Sequence, residues 1–136
     1  MSLFNWEEFN LSLGIPSIDD QHKKLFSIIN KLYESSDSDD INEVLKGIIS
    51  ELLDYTNYHF STEIELISQS EYPDVTDHKA AHNVFTQEVI HYKKLADENK
   101  LKTSDCSMIF NYLIKWLSMH IDKIDRKYAP YLETKD

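Results

Sequence analysis

Glycine, proline and cysteine are nearly missing from this sequence, with two, three and one among 136 residues. So few helix breakers suit a helical protein. A lone Cys106 excludes an internal disulfide framework and fits a reducing cytoplasm. Positive charge is short as well: 14 Lys and Arg against 24 Asp and Glu leave a net charge of −10. Nucleic acid and anionic membrane surfaces would be repelled by that balance. No run is long and apolar enough to span a membrane, and the opening MSLFNWEEFN does not resemble a signal peptide. What is present, 41% apolar residues in a chain of domain size, can bury a real core.

The chain opens on an aromatic arm, residues 1–16, where Phe4, Trp6 and Phe9 lead to Leu11, Leu13 and Ile15. It lacks helical periodicity and is expected to cross the bundle as an extended segment. Ser17 can then cap a helix, with Asp20 three residues on. Ile18, His22, Leu25, Ile29 and Leu32 repeat at helical spacing and predict a helix over about 18–34. Ser35 to Asp40 is an acidic turn, but it lacks the glycine and closing glutamate of a calcium loop. Asp40 caps a second helix over about 41–70, and Asp74 a third over about 74–97. Thr103 or Ser104 caps a fourth over about 104–128, before Pro130. Short connections make one all-α domain over 1–136, an up-down-up-down antiparallel four-helix bundle.

Two pairs of donors stand out on this frame, His59-x-x-x-Glu63 and His78-x-x-x-His82. Residues four apart on a helix lie one above the other, so each pair aims its donors one way. His22 and His120 also fall on inward stripes. Any one of these is ordinarily a hydrogen-bonded core residue. Burying five imidazoles with carboxylates in one bundle without a metal would, however, cost several kcal/mol. A bound cation turns that cost into affinity. His91 lies off the stripe and is left out. The step of five from His120 to Asp125 does not stack as a step of four does. Either the helix widens locally to an i→i+5 turn, or the two ligands reach the metal from opposite flanks. Asp122 competes, since it lies roughly 160° from His120 on the wheel against roughly 140° for Asp125.

The ordered set His22, His59-x-x-x-Glu63, His78-x-x-x-His82 and His120-x-x-x-x-Asp125 resembles the hemerythrin signature, with the form of a single-domain bacteriohemerythrin. The segment Gly14 to His22, His59-Phe60 and Tyr72-Pro73 resemble that family too. The resemblance selects Asp125 over Asp122. It implies two iron ions with an oxo or hydroxo bridge, Glu63 and Asp125 spanning both. His78, His82 and His120 would fill one iron, while His22 and His59 leave an open position on the other. A bond count agrees: five imidazoles, two bridging carboxylates and a shared oxygen make eleven of the twelve bonds that two octahedral ions take. Ligand type alone does not separate iron from zinc or manganese.

The resemblance further implies reversible O2 binding at the open position, with azide or a similar small anion replacing O2 in the oxidised form. An apolar pocket of Leu25, Phe60, Phe85, Trp116 and Leu117 would keep water out. The expected function is oxygen storage, delivery or buffering without catalysis, with no nucleic acid or membrane partner. An unidentified redox or delivery partner remains open. The alternatives are a di-iron enzyme acting on peroxide or nitric oxide, and an oxygen or iron sensor module. The tyrosines are expected at bundle edges with their hydroxyls in water.

Overall fold

The computed structural model describes residues 4–133, so the first three residues of the arm and Thr134 to Asp136 lie outside it. Four long helices run antiparallel: α1 (Pro16–Glu34), α2 (Ile41–Ser68), α3 (Val75–Asp97) and α4 (Thr103–His120). A π turn, Ile121–Asp125, and a last helix, α5 (Arg126–Glu133), continue α4. Helices α1 and α2, α2 and α3, and α1 and α4 pack closely, whereas α3 and α4 stand wider apart. The inward stripe of α1, Ile18, His22, Leu25, Ile29 and Leu32, is fully buried. Leu45, Ile49 and Leu52 on α2, Phe85 and Val89 on α3, and Ile109 and Leu113 on α4 complete an apolar half of the core. The polar donors occupy the other half.

Several helix ends differ from expectation. Pro16 opens α1 at its first position, where its missing N–H costs nothing, so Ser17 lies inside the helix. The carboxylate that acts there is Asp19, not the exposed Asp20. It accepts from the Leu13 amide at 2.8 Å and the Ser12 hydroxyl at 2.7 Å, fixing the arm's entry to the bundle. Asp40 and Asp74 stand at N-cap positions, but neither side chain accepts from its helix. Both are exposed, where water can satisfy the free amides. Lys102 holds the N-cap position of α4, and its amide donates to Asp105 at 2.9 Å. Pro130 does not end the chain's helical course, because it is exposed and removes one backbone bond within the last turns.

The arm is not wholly extended. A 3-10 turn, Trp6–Glu8, breaks it, and Asn10 and Gly14 take positive φ. Phe4 is buried against Phe26, at 4.0 Å between ring centres, and its backbone exchanges two hydrogen bonds with the Asn30 side chain. Leu11 and Leu13 are buried in turn. Arg126 donates to the Asn10 carbonyl at 2.9 Å, tying the arm to the start of α5.

Candidate metal centre

Every long helix delivers a donor to one point. His22 comes from α1, His59 and Glu63 from α2, His78 and His82 from α3, His120 from the end of α4, and Asp125 from the end of the π turn. The step of four within α2 and α3 explains two pairs. The step of five is resolved by the π turn, whose wider i→i+5 winding brings His120 and Asp125 to within 3.0 Å. Asp122 stays on the surface, paired with Arg126 at 3.2 Å. All seven donors are buried, Glu63, His22 and Asp125 completely.

The carboxylates divide the imidazoles into two groups. Glu63 Oε1 lies 2.7 Å from His78 Nε2 and 2.8 Å from His82 Nε2. Its Oε2 lies 3.4 Å from His59 Nε2 and 3.6 Å from His22 Nε2. Asp125 repeats this, with Oδ1 near His78 (3.2 Å) and His120 (3.0 Å) and Oδ2 near His22 (3.2 Å). Each carboxylate thus has one oxygen towards two of the imidazoles His78, His82 and His120, so that these two oxygens together reach all three. The other oxygen of each lies towards His22, joined by His59 at Glu63.

Among these contacts only that between His78 Nε2 and Glu63 Oε1 is an aligned hydrogen bond. Both ring nitrogens of His22 and of His82, Nε2 of His120 and both oxygens of Asp125 are buried without an aligned partner. Such orphans ordinarily cost about 1–3 kcal/mol each. Buried donor atoms gathered in two groups, each within 4.8 Å of one another and sharing Glu63, fit bound cations. The imidazole and carboxylate set is compatible with iron, zinc or manganese.

Electrostatics carry the same message. Burial pulls the His22 imidazolium down, but the close carboxylates of Asp125 and Glu63 outweigh it and raise the pKa to about 9. His78 behaves alike, burial losing to Asp125 and Glu63, and also reaches about 9. For His82 burial prevails, and the pKa falls to about 4. Burial opposes ionisation of Glu63 too, yet the surrounding imidazoles hold it well below the usual carboxylate range. Asp125 is also lowered, burial and the Glu63 charge yielding to His120 and His22. Without metal, the charges of Glu63 and Asp125 thus favour those of His22 and His78 beside them.

Two supporting residues had not been expected. The Tyr128 hydroxyl donates to Glu63 Oε2 at 2.7 Å from a fully buried ring, which corrects the placing of all tyrosines at bundle edges. The π turn adds one residue to the winding, so the inward register after Asp125 could not be projected from α4. Gln21 Oε1 accepts from His59 Nδ1 at 2.7 Å, leaving Nε2 to face the carboxylate. Its spacing from Ile18 and Leu25 was the available signal.

Of the five expected pocket residues, Leu25, Phe60, Phe85 and Leu117 are buried and Trp116 is half-buried. Phe60 lies parallel to His82 at 3.6 Å and Trp116 parallel to His120 at 4.6 Å, with Phe85 against both aromatic rings. Ring contacts therefore place Phe60, Phe85 and Trp116 on the three-imidazole side, Phe60 also reaching His59 at 5.7 Å. The aromatic neighbour of His22 is Trp6 from the arm, at 6.3 Å. His91 is exposed and takes no part.

Residues 13–132 match the family described as hemerythrin HHE cation binding domain. A hemerythrin-like protein of Naegleria gruberi is 32% identical over 131 residues, spanning 96% of this chain and 95% of the relative. A bacteriohemerythrin of Clostridium acetobutylicum is 32% identical over 130 residues, spanning 93% and 98%. The crystal structure of a wild-type hemerythrin aligns with a TM-score of 0.83 at 27% identity, covering 97% of this chain and 99% of that one.

Proposed function

Because this chain belongs to the hemerythrin HHE cation-binding family, we propose that it binds O2 reversibly at a two-iron centre, storing, delivering or buffering the gas. The observation that carries this reading is the division of both carboxylates between unequal groups of imidazoles. His78, His82 and His120 would hold one iron, His22 and His59 the other, with Glu63 and Asp125 spanning the two. The side with fewer imidazoles is the one left with room for a small ligand. Two irons held there would supply an exchangeable pair of electrons and one free coordination position.

The chain's own work is to bind, orient and exclude. Gln21 keeps the proton of His59 on Nδ1. Tyr128 occupies one lone pair of Glu63 and limits the carboxylate's rotation. Leu25, Phe60 and Leu117 keep water from the site, and Trp6 shields His22 on the arm's side. Azide in the oxidised protein would take the place of O2.

The test is an iron analysis with absorption spectra through cycles of oxygen addition and removal. We expect about two irons per chain by the ligand count, and a band that disappears when O2 is withdrawn. A band that fades only on adding a reductant would replace this reading with redox turnover on peroxide or nitric oxide. One zinc per chain and no oxygen-dependent band would remove it.

A further inference from the structure

Between α3 and α4, which stand apart, the surface opens into a groove of about 570 Å³. Its apolar walls are Ala81 and Val84 on α3, and Trp116, Met119 and Ile124 on the other side. Val84 and Met119 are more than half exposed, an unusual position for apolar side chains that face each other across a cleft. Lys115 and Lys123 stand on the rim, and no carboxylate lines the groove. In a chain of net charge −10, a groove whose lining carries two lysines and no carboxylate favours an anion, although Asp122 and Glu88 lie just beyond it. Lys115 has no ion-pair partner among the described residues, and Lys123 has only its neighbour Asp122 at 3.4 Å. The floor reaches the metal centre, since His120 lines the groove and Trp116 stacks on it.

We propose that this groove binds a free amphipathic carboxylate of the fatty-acid class, its chain against Val84, Met119 and Ile124 and its head group on Lys115 or Lys123. Methionine suits such a wall because its unbranched side chain adapts to a flexible alkyl chain. Charge complementarity selects an anion over a neutral lipid. His82 and His120 are the most exposed of the seven donors, at 5% each, so an occupant beside His120 covers the wetter edge of the site. Binding itself does not depend on metal; only its protective consequence rests on the two-iron reading.

Sodium dodecanoate, below its micelle concentration, is titrated into the metal-free and the iron-loaded chain and followed calorimetrically and by tryptophan emission. One equivalent should bind in both forms. Affinity should rise about two- to fourfold per methylene from octanoate to dodecanoate, and dodecanol should bind more weakly. Val84→Glu, and Lys115→Glu with Lys123→Glu, should each weaken binding about tenfold. These positions are exposed, and the metal content of the variants should not change. Lys24→Glu with Lys94→Glu reverses the same charge elsewhere and should have no effect. In the loaded form, dodecanoate should slow iron release to a chelator. No saturable binding, equal weakening by the control pair, or binding only to anionic phospholipid vesicles would overturn the proposal. Binding without slower iron release would leave the groove but refute its role at the site.

Discussion

On the proposed ligand set protons and metal compete for the same side chains, and for five of them, His22, His78, His82, Glu63 and Asp125, the surroundings set the direction of titration. His22 and His78 are raised from 6.5 to about 9. Their stabilisation of the metal-free fold is therefore complete below pH 6.5 and lost as pH rises through 9. His82, lowered to about 4, works the other way: its contribution is complete above pH 6.5 and lost as pH falls through 4. Glu63 and Asp125 are lowered, so their contribution holds above their ordinary values of 4.5 and 3.8 and is lost in acid. Metal-free stability should accordingly peak near pH 6.5, and denaturant midpoints at pH 5, 6.5 and 9 check it. Metal must displace the protons on His22 and His78, so metal affinity should increase from pH 6.5 to 9. Calorimetry in buffers of different ionisation enthalpy counts the protons released, and a count of zero would refute the assignment. Tyr128→Phe removes the donor to Glu63 without emptying the core. Metal affinity should fall by about 10- to 100-fold, measured by chelator competition, while the helical circular dichroism stays the same.

At the scale of the element, the π turn decides which acid reaches the site. Asp125→Ala should abolish stoichiometric metal binding. Asp122→Ala should leave it intact and change stability by no more than about 0.5 kcal/mol, because its pairs are on the surface. The regular part of this architecture is legible from spacing: a rotation of 100° per residue stacks His59 on Glu63 and His78 on His82, whatever surrounds them. Spacing could only name a widened turn after His120 as one of two options, because an i→i+5 turn leaves no mark in residue type. Everything downstream inherits that shift, which is why the buried Tyr128 escaped. The arm was opaque for another reason. Trp6 reaches His22, and Asp19 grips Leu13 and Ser12, through contacts with no period to detect. Asp19→Ala should cost about 1–3 kcal/mol by leaving the Leu13 amide without its buried partner. Trp6 emission should change as the arm loosens, whereas an unchanged denaturant midpoint would reduce Asp19 to a surface acid.

For the whole molecule, metal and fold are one equilibrium. A metal-free bundle keeps orphaned polar atoms at the junction of its four long helices, and each metal site filled adds its binding free energy to the stability. Free metal at 1,000-fold above its dissociation constant adds about 4 kcal/mol per site, so chelation should lower the melting temperature by about 10 °C or more. An unchanged melting temperature would mean that the cluster is not a metal site.

Cys106 turns that equilibrium into something that can be timed. Its thiol is 1% exposed and donates to the Leu32 carbonyl at 2.8 Å, across the seam between α1 and α4. A thiol reagent reaches it only when the seam parts, so the labelling half-life is a clock for helix separation. As the only sulfhydryl in the chain, it needs no engineered tag. If metal clamps all four helices from the far half of the core, loading it should slow this clock by the same factor that it gains in global stability. Should the clock run at one speed with and without metal, the apolar half of the bundle would breathe on its own, and the molecule would be two cooperative units in one fold.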